Sequence, residues 1–335
     1  VKHALKYGEN PHQQASITLD ENPADPLALG RFTLPDGRPV SAQLGEMSWI
    51  MLKDFTAGID AITRIAAAYD LNTGRVPKIA VLVNHGSACG AAAGDTDQVI
   101  NQAIHGNYRA ALGSFLVINF PMTEPTAYKA RQWMVETRPF AGVAAPSVDD
   151  LGAKYFQRKK RVCHVLANPA LAKLDRTTLD TQPMTHTIRG AAITQTPNHY
   201  LPAFPKEWDK SLVFDMCLAW GVAATGASNC ITLAKDGVLI GNAVGQGDRM
   251  AACELAVHQA ITANRQHMLD GASAVSESFF AFADGLDYLA RRKVRAIFAT
   301  HGSMHDQQIR EHAATFDGLI FHTVPDREAR TFAGH

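Results

Sequence analysis

The stretch Lys78–Gly90, "KIAVLVNHGSACG", runs almost unbroken apolar residues into a close crowded with Asn84, His85, Gly86, Ser87, Cys89 and Gly90. A run without a polar residue from Ile79 to Val83 suits a strand covered on both faces, as in the centre of a sheet packed with helices. Ahead of it, Glu46–Asp70, "EMSWIMLKDFTAGIDAITRIAAAYD", repeats apolar residues at helical spacing, with Ile50, Leu52, Phe55, Ile59, Ile62 and Ile65 supplying much of a buried stripe. Helical and strand patterns then alternate as far as Leu166, which predicts an α/β fold. His85 falls where the buried strand gives out beside a glycine. Two readings are open there: a general base acting near neutral pH, given an unperturbed pKa of about 6.5, or a core histidine with its partners satisfied.

Outward from this stretch, the first ~45 residues are rich in Pro, Gly, Asn and Asp and read as extended, turn-rich chain. Within them "LKYGENPHQQ", Leu5–Gln14, sets Lys6, Tyr7, Asn10, His12 and Gln13 around a Gly and a Pro: a turn packed on the surface, or a binding segment. A polar, Pro-containing stretch from about Asn168 to Trp208 bridges to a second half. There "DKSLVFDMCLAWGVAAT" predicts a helix, "NCITLAKDGVLIGNAVGQG" two strands about an Asp236-Gly237 turn, and "DRMAACELAVHQAITANRQ" a helix capped by Asp248. The strand "RAIFAT", the helix "DQQIREHAATF" and the strand "GLIFHT" close the pattern. The length of 335 residues exceeds one ordinary core and predicts two domains or one duplicated unit, divided here as 1–168 and 169–335. One echo joins them: an apolar run followed by His-Gly-Ser recurs at His85–Ser87 and His301–Ser303. Strand-to-glycine-to-helix junctions are where α/β proteins place ligands, so the echo points to two sites or two halves of one.

The composition, 46% hydrophobic and 19% charged, is that of a soluble globular protein, and 32 basic residues against 32 acidic ones argue against a duplex nucleic-acid binder. Small anions stay possible, because a few placed Arg or Lys residues can hold a phosphate without moving the total. No apolar segment approaches the ~18 residues of a membrane span, and the start "VKHALKYGENPHQ" lacks the apolar centre of a signal peptide, so a cytoplasmic protein is expected. Five scattered cysteines, Cys89, Cys163, Cys217, Cys230 and Cys253, fit reduced thiols better than a disulfide framework or structural zinc.

Further stretches carry chemistry. In "AVGQGDRMAACE" Gly245 and Gly247 lead into a helix start with Arg249 in its first turn, an anion-binding arrangement that matches neither a dinucleotide fingerprint nor a P-loop. "SESFFAFADGLDYL" sets Phe279, Phe280 and Phe282 before Asp284, a sandwich for a flat heterocycle or, as more often, core. "QRKKRV", Gln157–Val162, is a solvated charge run from which Lys160 can reach an anion. His301 and His305 have the spacing of a metal pair, but Gly302 and Ser303 between them argue against a helix, and no metal site is expected.

Together "LKYGENPHQ", "NHGSACGAA", "SNCITLAKDGVLIGNAVGQGDR", "SESFFAFADGLD" and "FHTVPDREARTFAGH" resemble, in order and spacing over nearly the whole chain, the transformylase region of the bifunctional purine-biosynthesis family that also carries inosine monophosphate cyclohydrolase. The transformylase acts on aminoimidazole-carboxamide ribonucleotide (AICAR). The cyclohydrolase part, which precedes "LKYGENPHQ" in fused members, is not in this sequence, so a stand-alone transformylase is expected. The resemblance implies two tandem cytidine-deaminase-like α/β/α units without catalytic zinc, and this chain has neither H-x-E nor P-C-x-x-C. It also implies a homodimer whose site forms between subunits. The implied reaction moves the formyl group of 10-formyltetrahydrofolate to the 5-amino group of AICAR, a delocalised and therefore poor nucleophile that needs a base and an oxyanion stabiliser.

By position, His85 matches the family's catalytic base, with Asn84 where the family has its lysine. Lys6 and Tyr7 match an Arg-Tyr pair that contacts the nucleotide; Gly113, Asn229, Arg249 and Phe279 match further nucleotide contacts, and Lys160 and Arg330 its phosphate-binding cations. Met250, Asp284, Ser303 and Met304 fall on the folate side. Departures are Asn84, which brings no charge to the oxyanion, Ala141 in place of an aspartate that helps hold the nucleotide, and Ala281 in place of a proline. They leave room for a changed acceptor or a non-catalytic nucleotide- or folate-binding protein beside the leading transformylase reading.

Overall fold

The computed structural model describes residues 1–134, 140–156 and 163–333. The amino-terminal arm is extended and turn-rich: β1 (Lys2–Ala4) pairs antiparallel with β2 (Ser16–Thr18), and a 3-10 turn over Val40–Glu46 delivers the chain to Ser48. The Ser48 hydroxyl accepts the Met51 N–H at 3.3 Å and so caps helix α1 (Trp49–Thr73), which Gly74 ends in the left-handed region at φ 68°. The first half continues as β3 (Lys78–Asn84), β4 (Ser87–Gly94), α2 (Gln98–Ile104), α3 (Tyr108–Ala111), β5 (Phe115–Ile118), α4 (Glu124–Trp133), β6 (Gly142–Ala145), α5 (Asp150–Phe156) and β7 (His164–Ala167).

After a connection that carries an exposed hairpin, β8 (Met184–Ile188) and β9 (Ala191–Gln195), the second half runs α6 (Lys210–Ala223), β10 (Ile231–Lys235), β11 (Val238–Ala243), α7 (Arg249–Thr262), β12 (Ser273–Ser276), α8 (Asp284–Ala290), β13 (Ala296–His301), α9 (Asp306–Ala313), β14 (Ile320–Pro325) and α10 (Asp326–Ala329). The predicted elements are present within about a turn of their expected bounds; β12, a short Ser-Ala-Val-Ser strand, carries too little apolar length to announce itself.

Ten strands form one mixed sheet in the order β7-β6-β5-β3-β4-β11-β10-β12-β13-β14. From the β4–β11 seam outward each half repeats one pattern: a hairpin, a third strand antiparallel to the hairpin's first, then two strands parallel to the third. Both faces are covered, which is why "KIAVLVN" shows no alternation. Ile79, Val81 and Val83 join a core beneath α1 and α6 that both halves share, while Ala80 and Leu82 face a separate core under α2 and α4. A third core packs α7, α8 and α9 on the second half. Among the described residues no helix is long and apolar enough to cross a membrane.

The repeat is not the His-Gly-Ser echo. His85 sits in a hairpin turn and is followed by β4, not by a helix, whereas His301 ends β13, the fourth strand of its half. What corresponds is "HGSACG" with "DGVLIG". His85-Gly86 and Asp236-Gly237 are both two-residue turns with positive φ at each position: 56° and 74°, then 51° and 71°. A register shift follows two residues back along each strand, between Leu82 and Val83 and between Leu233 and Ala234. Gly90 and Gly241 lie against helices so closely that an added Cβ would meet the Ala103 carbonyl oxygen at 2.1 Å and that of Ala256 at 2.2 Å.

Candidate active site

The His85 turn is held from beneath. The buried carboxylate of Asp54, one turn into α1, accepts the Gly86 N–H at 2.6 Å. Burial raises the Asp54 pKa, against which the Gly86 N–H and the nearby His85 work. His85 itself is exposed and left-handed, and no hydrogen bond to its imidazole forms among the described residues. It is therefore not a satisfied core histidine: the ring is presented to solvent by a turn whose backbone is fixed. Asn84 is half-buried and donates one amide N–H to the Ala110 carbonyl at 3.0 Å, at the end of α3. That contact brings Asn84 to the segment containing Gly113, exposed at φ 80°, and Ala141, whose N–H bonds the Ser114 carbonyl at 2.8 Å.

Lys6 and Tyr7 lie at the start of α1. The Tyr7 carbonyl accepts the Trp49 N–H at 3.0 Å and the Lys6 N–H bonds the Met47 carbonyl at 2.9 Å. The Lys6 ammonium lies 6.0 Å from the Tyr7 ring centroid, at the outer reach of a cation–π contact. Asn10 and Gln13 close the Gly8–Gln13 turn on itself, Gln13 Oε1 accepting the Asn10 N–H at 2.8 Å, so part of that polar density serves the turn.

A pocket of about 420 Å³ opens in the second half. Asn229, Arg249, Met250, Phe279, Asp284 and Arg330 line it together, with Phe282 beside them. Its lining precedes β10 and follows β11, β12 and β14, which sets it at the carboxyl ends of strands, the place an open α/β sheet offers a ligand. Asp248 caps α7 by accepting the Ala251 N–H at 2.7 Å and so aims Arg249 from the first helical residue. Arg330 is braced by Asp326 on α10, its guanidinium 5.8 Å from the Phe279 ring centroid. Burial opposes the Asp326 charge, but hydrogen bonds from Arg330 and Thr300 outweigh it and hold the carboxyl below its usual range.

Ser303 and Met304 do not line this pocket. Their loop reaches its rim through His305, whose ring stacks on Phe282 at 5.7 Å, and Met304 is almost wholly exposed. His301 ends a strand and His305 precedes α9, so the two do not share a helix. Lys160 lies outside the described residues. Phe280, by contrast with Phe282, is core. Among the described residues no group of His, Cys, Asp and Glu could hold a metal. Burial pushes the Cys89, Cys230 and Cys253 thiols up to about 12, which leaves them unreactive.

None of Lys6, Tyr7, Asn84, His85 or Gly113 lines the pocket, yet the His85 turn and the pocket occupy one end of the sheet. Because β4 and β11 run antiparallel, the start of β4 adjoins the end of β11; the Asn242 side chain bonds the Ala88 carbonyl across that seam at 2.9 Å. Two strand spacings, ~10 Å, separate β4 from β10, which Asn229 precedes.

Residues 1–259, which include the His85 turn, Asn229 and Arg249, match the family described as AICARFT/IMPCHase bienzyme. The chain belongs to that family. Relatives each called bifunctional purine biosynthesis protein PurH include those of Rhodopirellula baltica, 27% identical over 318 residues, and Thermotoga maritima, 27% identical over 338 residues. The alignments cover 92% and 97% of this chain but 55% and 63% of those proteins. A third, from Thermosynechococcus vestitus, is 28% identical over 90% of this chain and 54% of its own length. The chain thus spans about half the length of these AICARFT/IMPCHase relatives.

Sequence reasoning passed over Asp54, Asn242, Glu277 and Asp326, which hold the others in place. Asp54 was visible as an acidic residue inside the apolar stripe of α1; Glu277 as a carboxylate between a strand and the phenylalanines.

Proposed function

We propose that this chain transfers the formyl group of 10-formyltetrahydrofolate to the 5-amino group of AICAR, a step of purine biosynthesis. Family membership supports the reaction class, and one observation carries the reading to these residues: an exposed histidine on a braced turn shares a sheet end with a pocket offering two arginines and aromatic rings. His85 takes the proton from the amine as its nitrogen attacks the formyl carbon; collapse of the tetrahedral intermediate then breaks the bond from that carbon to N10, which takes up a proton as tetrahydrofolate leaves. The remaining Asn84 amide N–H faces the developing oxyanion as a neutral donor, where one donor is typically worth about 2.7–4 kcal/mol. Arg249, Asn229, Phe279 and Arg330 take the nucleotide, with Lys6, Tyr7 and Gly113 from the first half and Lys160 as a further phosphate cation.

The folate supplies the formyl carbon. Met250 and Phe282 offer apolar and aromatic surface to its flat ring and the exposed Asp284 an acceptor for ring N–H groups, a donor set that fits a pterin, with Ser303 and Met304 at the rim.

We read the halves as tandem cytidine-deaminase-like units, 1–168 and 169–335, on the strength of the repeated strand order. A homodimer is part of the same reading. The hairpin of β8 and β9 is exposed along both strands, with Met184, Ile188 and Ile193 uncovered, and a lone two-stranded ribbon is marginal by itself.

The test is formation of formylated nucleotide from AICAR and 10-formyltetrahydrofolate by the purified protein, beside His85→Ala. Product that depends on His85 supports the reading; absence of product at any substrate concentration defeats it. Sedimentation decides the dimer, and restored turnover on mixing His85→Ala with Arg249→Ala would place those residues on opposite sides of a shared site.

A further inference from the structure

Glu277 follows β12, and its side chain is 0% exposed. Four donors close around the carboxylate. Oε1 accepts the Ser228 hydroxyl at 2.6 Å and Arg249 Nη2–H at 2.9 Å; Oε2 accepts the Cys230 N–H at 3.0 Å and Arg249 Nη1–H. Arg249 Nη1 also donates to the Cys230 carbonyl at 3.0 Å, and the Glu277 carbonyl accepts the Thr331 N–H at 3.1 Å. One residue therefore ties together the wall at Ser228–Cys230, the first residue of α7 and the segment after Arg330.

A buried ion pair generally gives no stability that apolar packing of the same volume would not, so stability alone does not account for this network. What it fixes is direction. A bidentate carboxylate sets the plane of a guanidinium, and here both ends of the fork are held. It also cancels the charge: Arg249 faces the pocket as half of a neutral pair. Its Nε–H, buried, has no hydrogen-bond partner among the described residues.

We propose that Glu277 is a positioning residue that aims Arg249 into the pocket, so that Arg249 recognises the nucleotide through oriented N–H donors rather than through net positive charge. This rests on the assignment of Arg249 to the nucleotide. It separates cleanly from plain electrostatics. Glu277→Gln makes the pocket more positive and, if charge governed, would tighten binding of a phosphorylated ligand; if orientation governs, binding weakens.

The experiment titrates AICAR by calorimetry into the full chain, Glu277→Gln, Glu277→Asp, Arg249→Met and the Glu277→Gln/Arg249→Met double variant. In parallel, phenylglyoxal modification of Arg249 is followed by peptide mass spectrometry without ligand. Glu277→Gln should weaken AICAR binding about tenfold or more, Glu277→Asp should recover part of it, and the double variant should bind no worse than Arg249→Met. Arg249 should be modified several-fold faster once released from the carboxylate. Unchanged or tighter AICAR binding in Glu277→Gln, additive losses in the double variant, or an unchanged modification rate each overturn the proposal. Should Glu277→Gln not fold, Glu277→Asp, which keeps the charge and shortens the reach, is the test: weaker AICAR binding with faster Arg249 modification is expected, and unchanged binding or an unchanged modification rate overturns the proposal. Failure of the unaltered chain to bind AICAR defeats the nucleotide assignment instead, and an unchanged modification rate then still removes Glu277 as the residue that holds Arg249.

Discussion

Asp54 and Asp215 occupy the same place in two helices, the sixth residue of α1 and of α6, and each accepts the N–H of the glycine in a two-residue turn: Gly86 at 2.6 Å and Gly237 at 2.7 Å. Asp215 also takes the Asp236 N–H at 3.0 Å, and burial raises the pKa of both carboxyls. The brace is duplicated, but only one of the two turns carries a histidine.

Asp54→Ala, which loses one hydrogen bond to a charged group worth roughly 1.5–3 kcal/mol, should therefore lower Tm, and Asp215→Ala, which loses two, should lower it at least as much. Their effects on formyl transfer should diverge, with a loss of at least tenfold in kcat for Asp54→Ala and little change for Asp215→Ala at permissive temperature. Equal effects on kcat would mean that the brace serves folding alone.

His85→Ala should lower kcat by about 10²–10⁴, the range for loss of a general base, while AICAR affinity measured by titration stays within a few-fold. Near-normal turnover in this variant removes His85 from the reaction.

Asn84→Lys should raise kcat, by tenfold or more, because it adds a charged donor where the proposed reaction puts its oxyanion and such donors are worth about 10²–10³. A fall in kcat would show that the corner around Asn84, Ala110 and Ala141 is adapted to its neutral amide.

Asp60, on α1, gives a pH signature. Burial raises its pKa from 3.8 to about 6; Arg64 opposes the rise, and Asp180 and Asp25 add to it. The folded state then holds the proton more tightly than the unfolded one, so stability is lost as pH climbs from about 4 to 6 and the penalty is complete above that. Asp60→Asn should raise Tm at pH 8 and leave it nearly unchanged at pH 4, as a pair of thermal melts will read.

Gly221→Ala tests the shared core. A Cβ there would meet Ile65 Cα at 2.6 Å, backbone against which α6 cannot give way easily. Destabilisation of roughly 1–3 kcal/mol is expected in denaturant titration; a neutral result would mean that α1 and α6 are free to move apart.

Much of the architecture was legible because it rests on local pattern: the α1 stripe, the two-sided β3 run, the Asp236-Gly237 turn and the Asp248 cap each follow from neighbouring residues. The repeat was misread because His-Gly-Ser is a match of letters, whereas the true correspondence is a match of backbone needs: positive φ twice, then a glycine against a helix. Six of the residues assigned by resemblance gathered in one pocket, but their braces stayed hidden. A buried carboxylate such as Glu277 is intelligible only once Ser228, Cys230 and Arg249, distant in sequence, are folded around it.

The seam between β4 and β11 has a bearing on solubility. In either half taken singly, the hairpin's second strand would be a sheet edge with a row of open N–H and C=O groups, a template for aggregation. Joined to each other, β4 and β11 remove both edges at once and leave β7 and β14 at the margins of the ten-stranded sheet. A lesion that parts them, whether or not it touches His85, should appear first as precipitate.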